Sequence, residues 1–172
     1  MYDDDDLQRL YGKKYFSHRT RPEMWNRRAQ FVLEKFNPKT ALDIGCASGE
    51  FVKSMIDVNI DAYGIDGSDF AISNSNESIK NKILKVNLNS DPFPFENNTF
   101  DFIGSFYSVE HIHDIEFFSK ELFRTLKSSG KAWFLTPNIG EEGRTKVDVF
   151  TNTFENWKSI FEKQNFTVTK FS

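Results

Sequence analysis

The sequence predicts an α/β fold, with an open, doubly wound, mostly parallel sheet flanked by helices. Short apolar runs of strand length alternate with segments whose apolar residues recur at helical spacing. Strands separated by helices imply parallel pairing through right-handed crossovers. The residues least expected in a core fall at the carboxyl ends of the strand-like runs, at Asp43, Asp66, Asn87, Ser105 and Thr136. Open sheets of this kind hold ligands at those ends, near the switch in strand order.

Each element follows in order. Trp25, Ala29, Val32, Leu33 and Phe36 sit at helical spacing, and Pro38 closes that helix. Residues 41–44 read as a short buried strand. Phe51, Val52, Met55 and Ile56 form one helical face, and residues 62–65 a second strand ending on Asp66-Gly67. The polar stretch 68–78 is weakly helical, capped by Ser68 with Ala71 and Ile72 inward. Residues 83–86 are a third strand. Asp91-Pro92-Phe93-Pro94 is irregular, because proline lacks a donor and restricts the residue before it. Residues 100–105 are a fourth strand. Ile115, Phe118, Leu122, Phe123 and Leu126 make a helical stripe broken by Ser128-Ser129-Gly130. Residues 132–135 form a fifth strand stopped by Pro137. Phe154, Trp157, Ile160 and Phe161 mark a last helix, and 166–171 a last strand. No repeat or long linker interrupts the chain, so residues 1–21 read as an N-terminal segment and 22–172 as one ligand-binding domain.

Length and composition set bounds. A chain of 172 residues suits one domain, and 19 Phe supply much of its core. The net charge of −3 gives no global attraction for nucleic acid, so no nucleic-acid partner is expected. Arg19, Arg21, Arg27 and Arg28 read as a solvated helix face rather than a basic patch. The single cysteine, Cys46, has no disulfide partner within the chain, and no zinc-ligand pattern accompanies it. No apolar run approaches the ~20 residues needed to span a bilayer, and the acidic start at residues 3–6 is unlike a secretory or transit leader. The expectation is a cytoplasmic protein.

The stretch 41–51, ALDIGCASGEF, carries the chemistry. Glycines after a first strand let a ligand approach the backbone, and the next helix offers free N–H groups. Dinucleotides and S-adenosylmethionine both use such a loop. A dinucleotide fingerprint needs a third small residue where this chain has Glu50, and Asp43 would add charge beside a pyrophosphate. S-adenosylmethionine instead brings an ammonium and a sulfonium for an acid to attract, and a carboxylate for the helix N-terminus. Asp66, closing the second strand, suits paired ribose hydroxyls as a two-oxygen acceptor. Taken singly, Asp66-Gly67 is an ordinary turn and Asp43 an ordinary helix cap; together with the loop they point to an adenosyl ligand. A nicotinamide oxidoreductase is disfavoured by Glu50 and Asp43.

On these residues the chain resembles the class I S-adenosylmethionine-dependent methyltransferases, and more narrowly the small-molecule, ubiquinone/menaquinone-type enzymes. ALDIGCASGEF, YGIDGSDFAI, the stretch 86–114, LFRTLKSSGKAWFLTPN and the stretch 149–171 match that family's elements in order, over roughly residues 24–171. The resemblance implies a Rossmann-like sheet without the usual seventh strand, which would leave an open edge for a homodimer. It implies that Gly45, Ala47 and Gly49 line the methionine portion, with Ala47 where glycine is more usual. Asp66 would hold the ribose, Gly67 lie beside the adenine, and Asn87 and Leu88 flank it, Asn87 standing where the family often has aspartate. Ser105 and Tyr107 would lie by the sulfonium and the substrate entrance. The implied reaction is methyl transfer to a small-molecule acceptor, leaving S-adenosylhomocysteine. The runner-up is a non-catalytic or truncated domain that binds the same ligands.

Methyl transfer needs positioning first and a base only if the nucleophile must lose a proton. Glu110, His111, His113 and Asp114 are the candidates, and His111 is the best titratable choice. The bland reading of His111 is a helix-end hydrogen-bonding residue. His111 and His113 are two apart and no third ligand accompanies them, so no metal site is expected. The segment YGKKYFSHRTR reads either as a lid, with Tyr11, Tyr15, Phe16 and Arg19 shaping the pocket, or as a helix packed on the sheet edge. Cys46 reads as a small packing residue. Phe93, Phe95 and Phe106 read as core or cover for the sheet, with an apolar substrate slot as the alternative.

Overall fold

The computed structural model describes residues 4–16, 22–137 and 152–170. Its centre is a five-stranded sheet of β1 (Thr40–Ile44), β2 (Asp61–Asp66), β3 (Ile83–Lys85), β4 (Phe100–Phe106) and β5 (Leu126–Leu135), in the order β3-β2-β1-β4-β5. Every pairing is parallel. The helices are α1 (Asp4–Leu10), α2 (Lys13–Phe16), α3 (Pro22–Phe36), α4 (Glu50–Asp57), α5 (Asp69–Ser73), α6 (Ile115–Thr125) and α7 (Phe154–Glu162).

The pleat sorts the apolar residues into two layers. Leu42, Ile44, Ile65 and Ile103 pack with Phe118 and Leu122 of α6 and with Trp157 and Phe161 of α7. Ala41, Ala62, Phe102 and Phe106 pack with Ala29 and Val32 of α3 and with Phe51, Val52 and Met55 of α4. Helices therefore cover both faces, which is why the strands read as near-continuous apolar runs. Phe93 and Phe106 are buried and Phe95 packs against the first layer, so these rings are core.

The local chemistry explains the element ends. α3 stops at Phe36, where Asn37 takes a left-handed backbone (φ 45) ahead of Pro38. Ser68 caps α5 by accepting the Ala71 N–H at 3.1 Å. Two elements differ from the sequence reading. β5 starts at Leu126, directly after α6, and the expected break at 128–130 is absorbed as an irregularity between the pairs Phe100–Leu126 and Phe102–Lys131. The expected strand over 166–171 is not found: residues 166–170 are irregular, and residue 171 lies outside the described residues. Phe166 and Val168 still pack on the α6/α7 layer, so their alternation reflects burial without a ladder partner among the described residues.

Because β1 feeds β2 on one side while β4 and β5 lie on the other, the strand order reverses between β1 and β4. The carboxyl ends of those two strands flank the crevice where a doubly wound sheet binds its ligand.

Candidate active site

The chain turns immediately after β1. Gly45 (φ 72), Ala47 (φ 51) and Gly49 (φ 82) all take left-handed backbone. The N–H groups of Gly45 and Cys46 donate to the Ile65 carbonyl at 2.8 and 3.2 Å, tying the loop to β2. Position 45 has no room for a side chain: a Cβ there would lie 1.9 Å from Ser108 Oγ. Ala47 carries a Cβ in a conformation that costs about 1 kcal/mol, and its N–H donates to Asp66 Oδ2 at 2.8 Å. Gly49 is the N-cap of α4 and supplies no side-chain acceptor, so the first turn keeps donors for a ligand.

Three carboxylates gather around this loop. Asp66 accepts from Ala47 through Oδ2 and from the Ser68 N–H through Oδ1, each at 2.8 Å. Burial raises its pKa, against the opposing pull of the Ser68, Ala47 and Gly67 N–H groups. Asp43, 4% exposed, is pushed well above the usual carboxylate range by burial and then by Asp66 and Glu50, with Arg28 opposing. Asp43 is not a helix cap, since Gly49 fills that place. Among the described residues none of the three acids forms an ion pair. Such a cluster favours a cationic ligand. Burial, then Asp66 and Asp43, push the Cys46 thiol up as well, which suits a packing residue.

The remaining strand ends complete the crevice. After β3, Asn87 is buried and its Oδ1 accepts the Asn89 N–H at 3.1 Å. Leu88 is half-buried against the α6/α7 layer. Asn89 Oδ1 accepts the His113 N–H at 2.7 Å, joining the loops after β3 and β4. Ser105 is 0% exposed with its Oγ unpartnered, so its hydroxyl does not reach the opening. Tyr107 does: it is 46% exposed, in left-handed backbone (φ 58), held by its N–H to the Leu135 carbonyl at 2.7 Å. His111 lies in a 3-10 turn, Val109–His111, with its ring 5.6 Å from that of Tyr11. Glu110 is buried. Asp114 caps α6 through the Phe117 N–H at 2.9 Å. Burial lowers the pKa of His113.

The N-terminal segment meets the site at the β2–α5 connection. Gln8 Nε2 donates to the Gly67 carbonyl at 2.9 Å, its Oε1 accepts the Asp69 N–H at 2.7 Å, and Ser68 Oγ donates to the Tyr11 carbonyl at 2.7 Å. These contacts set Gln8 and Tyr11 beside the turn that follows β2. Arg19, Arg21 and the side chains of Tyr15 and Phe16 lie outside the described residues. Arg28 departs from the solvated-face reading: its guanidinium lies 4.7 Å from the centre of the Trp25 ring and 4.8 Å from that of Phe106. Sequence reasoning also missed Ser108 and Asn89, whose roles exist only once two loops are brought together.

Comparison with known proteins decides the family. A family profile described as a methyltransferase domain matches residues 16–170. The chain belongs to the S-adenosylmethionine-dependent methyltransferases. This methyltransferase domain is 33% identical over 99 residues to a ubiquinone biosynthesis O-methyltransferase of Pelagibacter ubique, covering 56% of this chain and 41% of that protein. Its fold matches a SAM-dependent methyltransferase from Archaeoglobus fulgidus with TM-score 0.71 at 19% identity, over 88% of this chain and 72% of the other. It also matches phosphoethanolamine N-methyltransferase 2 of Haemonchus contortus, in complex with phosphomonomethylethanolamine and S-adenosylhomocysteine, with TM-score 0.73 at 18% identity, over 95% of this chain and 44% of that one. The chain spans about half the length of the curated relatives it matches. Among the described residues no group of His, Cys, Asp or Glu is arranged to hold a metal, and no helix is long and apolar enough to cross a membrane.

Proposed function

We propose that this chain transfers a methyl group from S-adenosylmethionine to a small-molecule acceptor in the cytoplasm. The observation that carries the reading is the unpaired acid cluster of Asp43, Glu50 and Asp66 around a left-handed loop. The residues fit the cofactor. Asp43 lies where an ammonium would offset its burial, and the loop of Gly45, Ala47 and Gly49 with the uncapped α4 start would receive the methionine portion. Asp66 has lone pairs left for ribose hydroxyls beyond its bonds to Ala47 and Ser68. Gly67, Asn87 and Leu88 would border the adenine, and Tyr107 with the backbone of Ser105 the sulfonium side. When bound, the cofactor supplies a methyl group already activated on sulfur, so the chain's task is to orient and exclude water. His111, covered by Tyr11, is the proposed base for an acceptor that must lose a proton. A homodimer formed along the β5 edge, unpaired among the described residues, belongs to the same reading.

Calorimetric titration with S-adenosylhomocysteine, with NAD as control, tests the reading. Binding of the former alone is expected, and Asp66→Ala should weaken it about tenfold or more, the loss of a charge-assisted hydrogen bond. His111→Ala should lower turnover and leave that affinity intact. Binding by a protein that turns over no acceptor would favour the non-catalytic alternative.

A further inference from the structure

Segment 107–114 links β4 to α6 and carries His111. Its ends are anchored: Tyr107 is tied to the Leu135 carbonyl, Ser108 sits against Gly45, and Asp114 caps α6. Between the 3-10 turn and that cap the backbone is extended at Ile112, whose side chain is buried. The next N–H, that of His113, is met by a side chain from another loop. Asn89 Oδ1 accepts it at 2.7 Å.

Asn89 is itself fixed. It is 5% exposed, in the turn after β3. Its own N–H donates to Asn87 Oδ1 at 3.1 Å, and the N–H groups of Ser90 and Asp91 donate to the Asn87 carbonyl at 3.0 and 2.8 Å. Asp91 Oδ2 accepts the Asn87 N–H at 2.9 Å. Just downstream, α6 grips the chain: Glu121 Oε2 accepts the Phe93 N–H at 2.8 Å, and Arg124 donates to the carbonyls of Phe93 and Phe95 at 2.9 and 2.6 Å. The turn is thus closed on itself by an Asx bond and clamped to α6. From this rigid base the Asn89 carboxamide offers a placed acceptor to the His111 segment.

Resting on the methyl-transfer reading, we propose that Asn89 is a positioning residue for His111, and that it passes the state of the adenine-side turn to that ring. Asn87, in the same turn, borders the adenine in that reading. A bound adenosine stiffens the turn, the turn holds Asn89 Oδ1 in place, and His113 is held with it, two residues from His111. A base serves transfer when it is already oriented, so its placement follows cofactor binding. Tyr11 meets the His111 ring from the other side at 5.6 Å, a contact that does not pass through Asn89.

Carbon-labelled histidine in the whole chain reads the proposal, with S-adenosylhomocysteine as the probe and its affinity followed by calorimetry. In the parent, the ligand should shift and sharpen the His111 imidazole signal at fixed pH. Asn89→Leu keeps the bulk and the backbone N–H to Asn87 but removes the acceptor. Its S-adenosylhomocysteine affinity should stay within about twofold of the parent, less than the loss of a typical hydrogen bond. Its His111 signal should move in the free protein and lose most of its response to ligand. The His113 amide should exchange with solvent about tenfold faster, the step for one lost hydrogen bond. Asn89→Asp keeps an acceptor in the same place and should restore all three readouts. Asn89→Ala carries the comparison if the leucine variant fails to fold. A His111 response that survives in Asn89→Leu would overturn the proposal, because the ligand would then act on the ring directly or through Tyr11. So would a parent that binds the ligand without a His111 response, or an aspartate variant that behaves like the leucine one. If the parent binds no S-adenosylhomocysteine, while the free protein's His111 signal moves in Asn89→Leu and returns in Asn89→Asp, the positioning role stands and the cofactor reading falls alone.

Discussion

The two ends of the sheet treat a carboxylate in opposite ways. At the amino ends of the strands, Asp101 in β4 accepts the N–H groups of Lys39 and Thr40 at 3.0 Å each and pairs with Lys127 at 2.8 Å. Burial would raise it, but the bonds from Lys127, Thr40 and Lys39 hold it down at about 2. At the carboxyl ends, Asp43 is more deeply buried, has no ion pair, and is pushed upward by burial, Asp66 and Glu50. The amino end satisfies its acid and joins β1, β4 and β5. The carboxyl end leaves its acid dissatisfied, which is a cost in the free protein and an attraction for a cation. Stability and function are thus separated along the same strands.

The largest expected effect breaks the carboxyl end outright. Gly45→Ala puts a Cβ 1.9 Å from Ser108 Oγ in left-handed backbone. Overpacking and backbone strain together predict a loss of about 3 kcal/mol in urea unfolding. Adding Ser108→Gly should recover the packing part and leave the strain, whereas no recovery would mean the two loops are not in contact.

Breaking the amino end is next. Asp101→Asn should cost about 1–2 kcal/mol near neutral pH, because charge-assisted bonds to two backbone N–H groups and Lys127 are lost. The folded pKa is depressed, so the contribution is present above the unfolded value near 3.8 and disappears as pH falls toward about 2. The variant and the parent should converge in stability over that acid window.

Asp43→Asn sharpens the contrast. The folded pKa of Asp43 is raised, so its ionisation opposes folding, and stability falls as pH rises from the unfolded value through the folded one. The amide should therefore be more stable than the parent near pH 7, by about 1 kcal/mol, since it has no ionisation for burial to oppose. It should also bind S-adenosylhomocysteine more weakly. A variant that is both less stable and unaltered in binding would refute the division of labour.

Much of the fold was legible in the sequence, and the reason is local. The role of Asp101 was not, because its partners Lys39, Thr40 and Lys127 come from elsewhere in the chain. Five strands and the Ser68 cap follow from periodicity and turn chemistry, whereas the hydrogen bond from Ala47 in the 45–49 loop to Asp66 appears only in the fold. The expected strand at 166–171 was not found, because Phe166 and Val168 satisfy an alternating pattern by packing on α6 and α7 without a neighbouring strand. Arg28 looked like one of several surface arginines. Its environment depends on Phe106, far along the chain, so no window of sequence contains it. Ser105 read as a ligand-facing residue because of its place at a strand end, yet the pleat turns its hydroxyl into the protein.

The smallest effect tests whether the loop itself is strained for binding. Ala47 holds a left-handed backbone (φ 51), and its N–H reaches Asp66. Ala47→Gly removes the Cβ penalty of about 1 kcal/mol and adds back some unfolded-chain freedom, so a net gain of about half a kcal/mol is expected. If the loop is already set in its binding shape, S-adenosylhomocysteine affinity should stay the same or fall slightly as glycine loosens it. A clear gain in affinity would mean instead that alanine holds the loop away from that shape, and the strain would belong to the free protein alone.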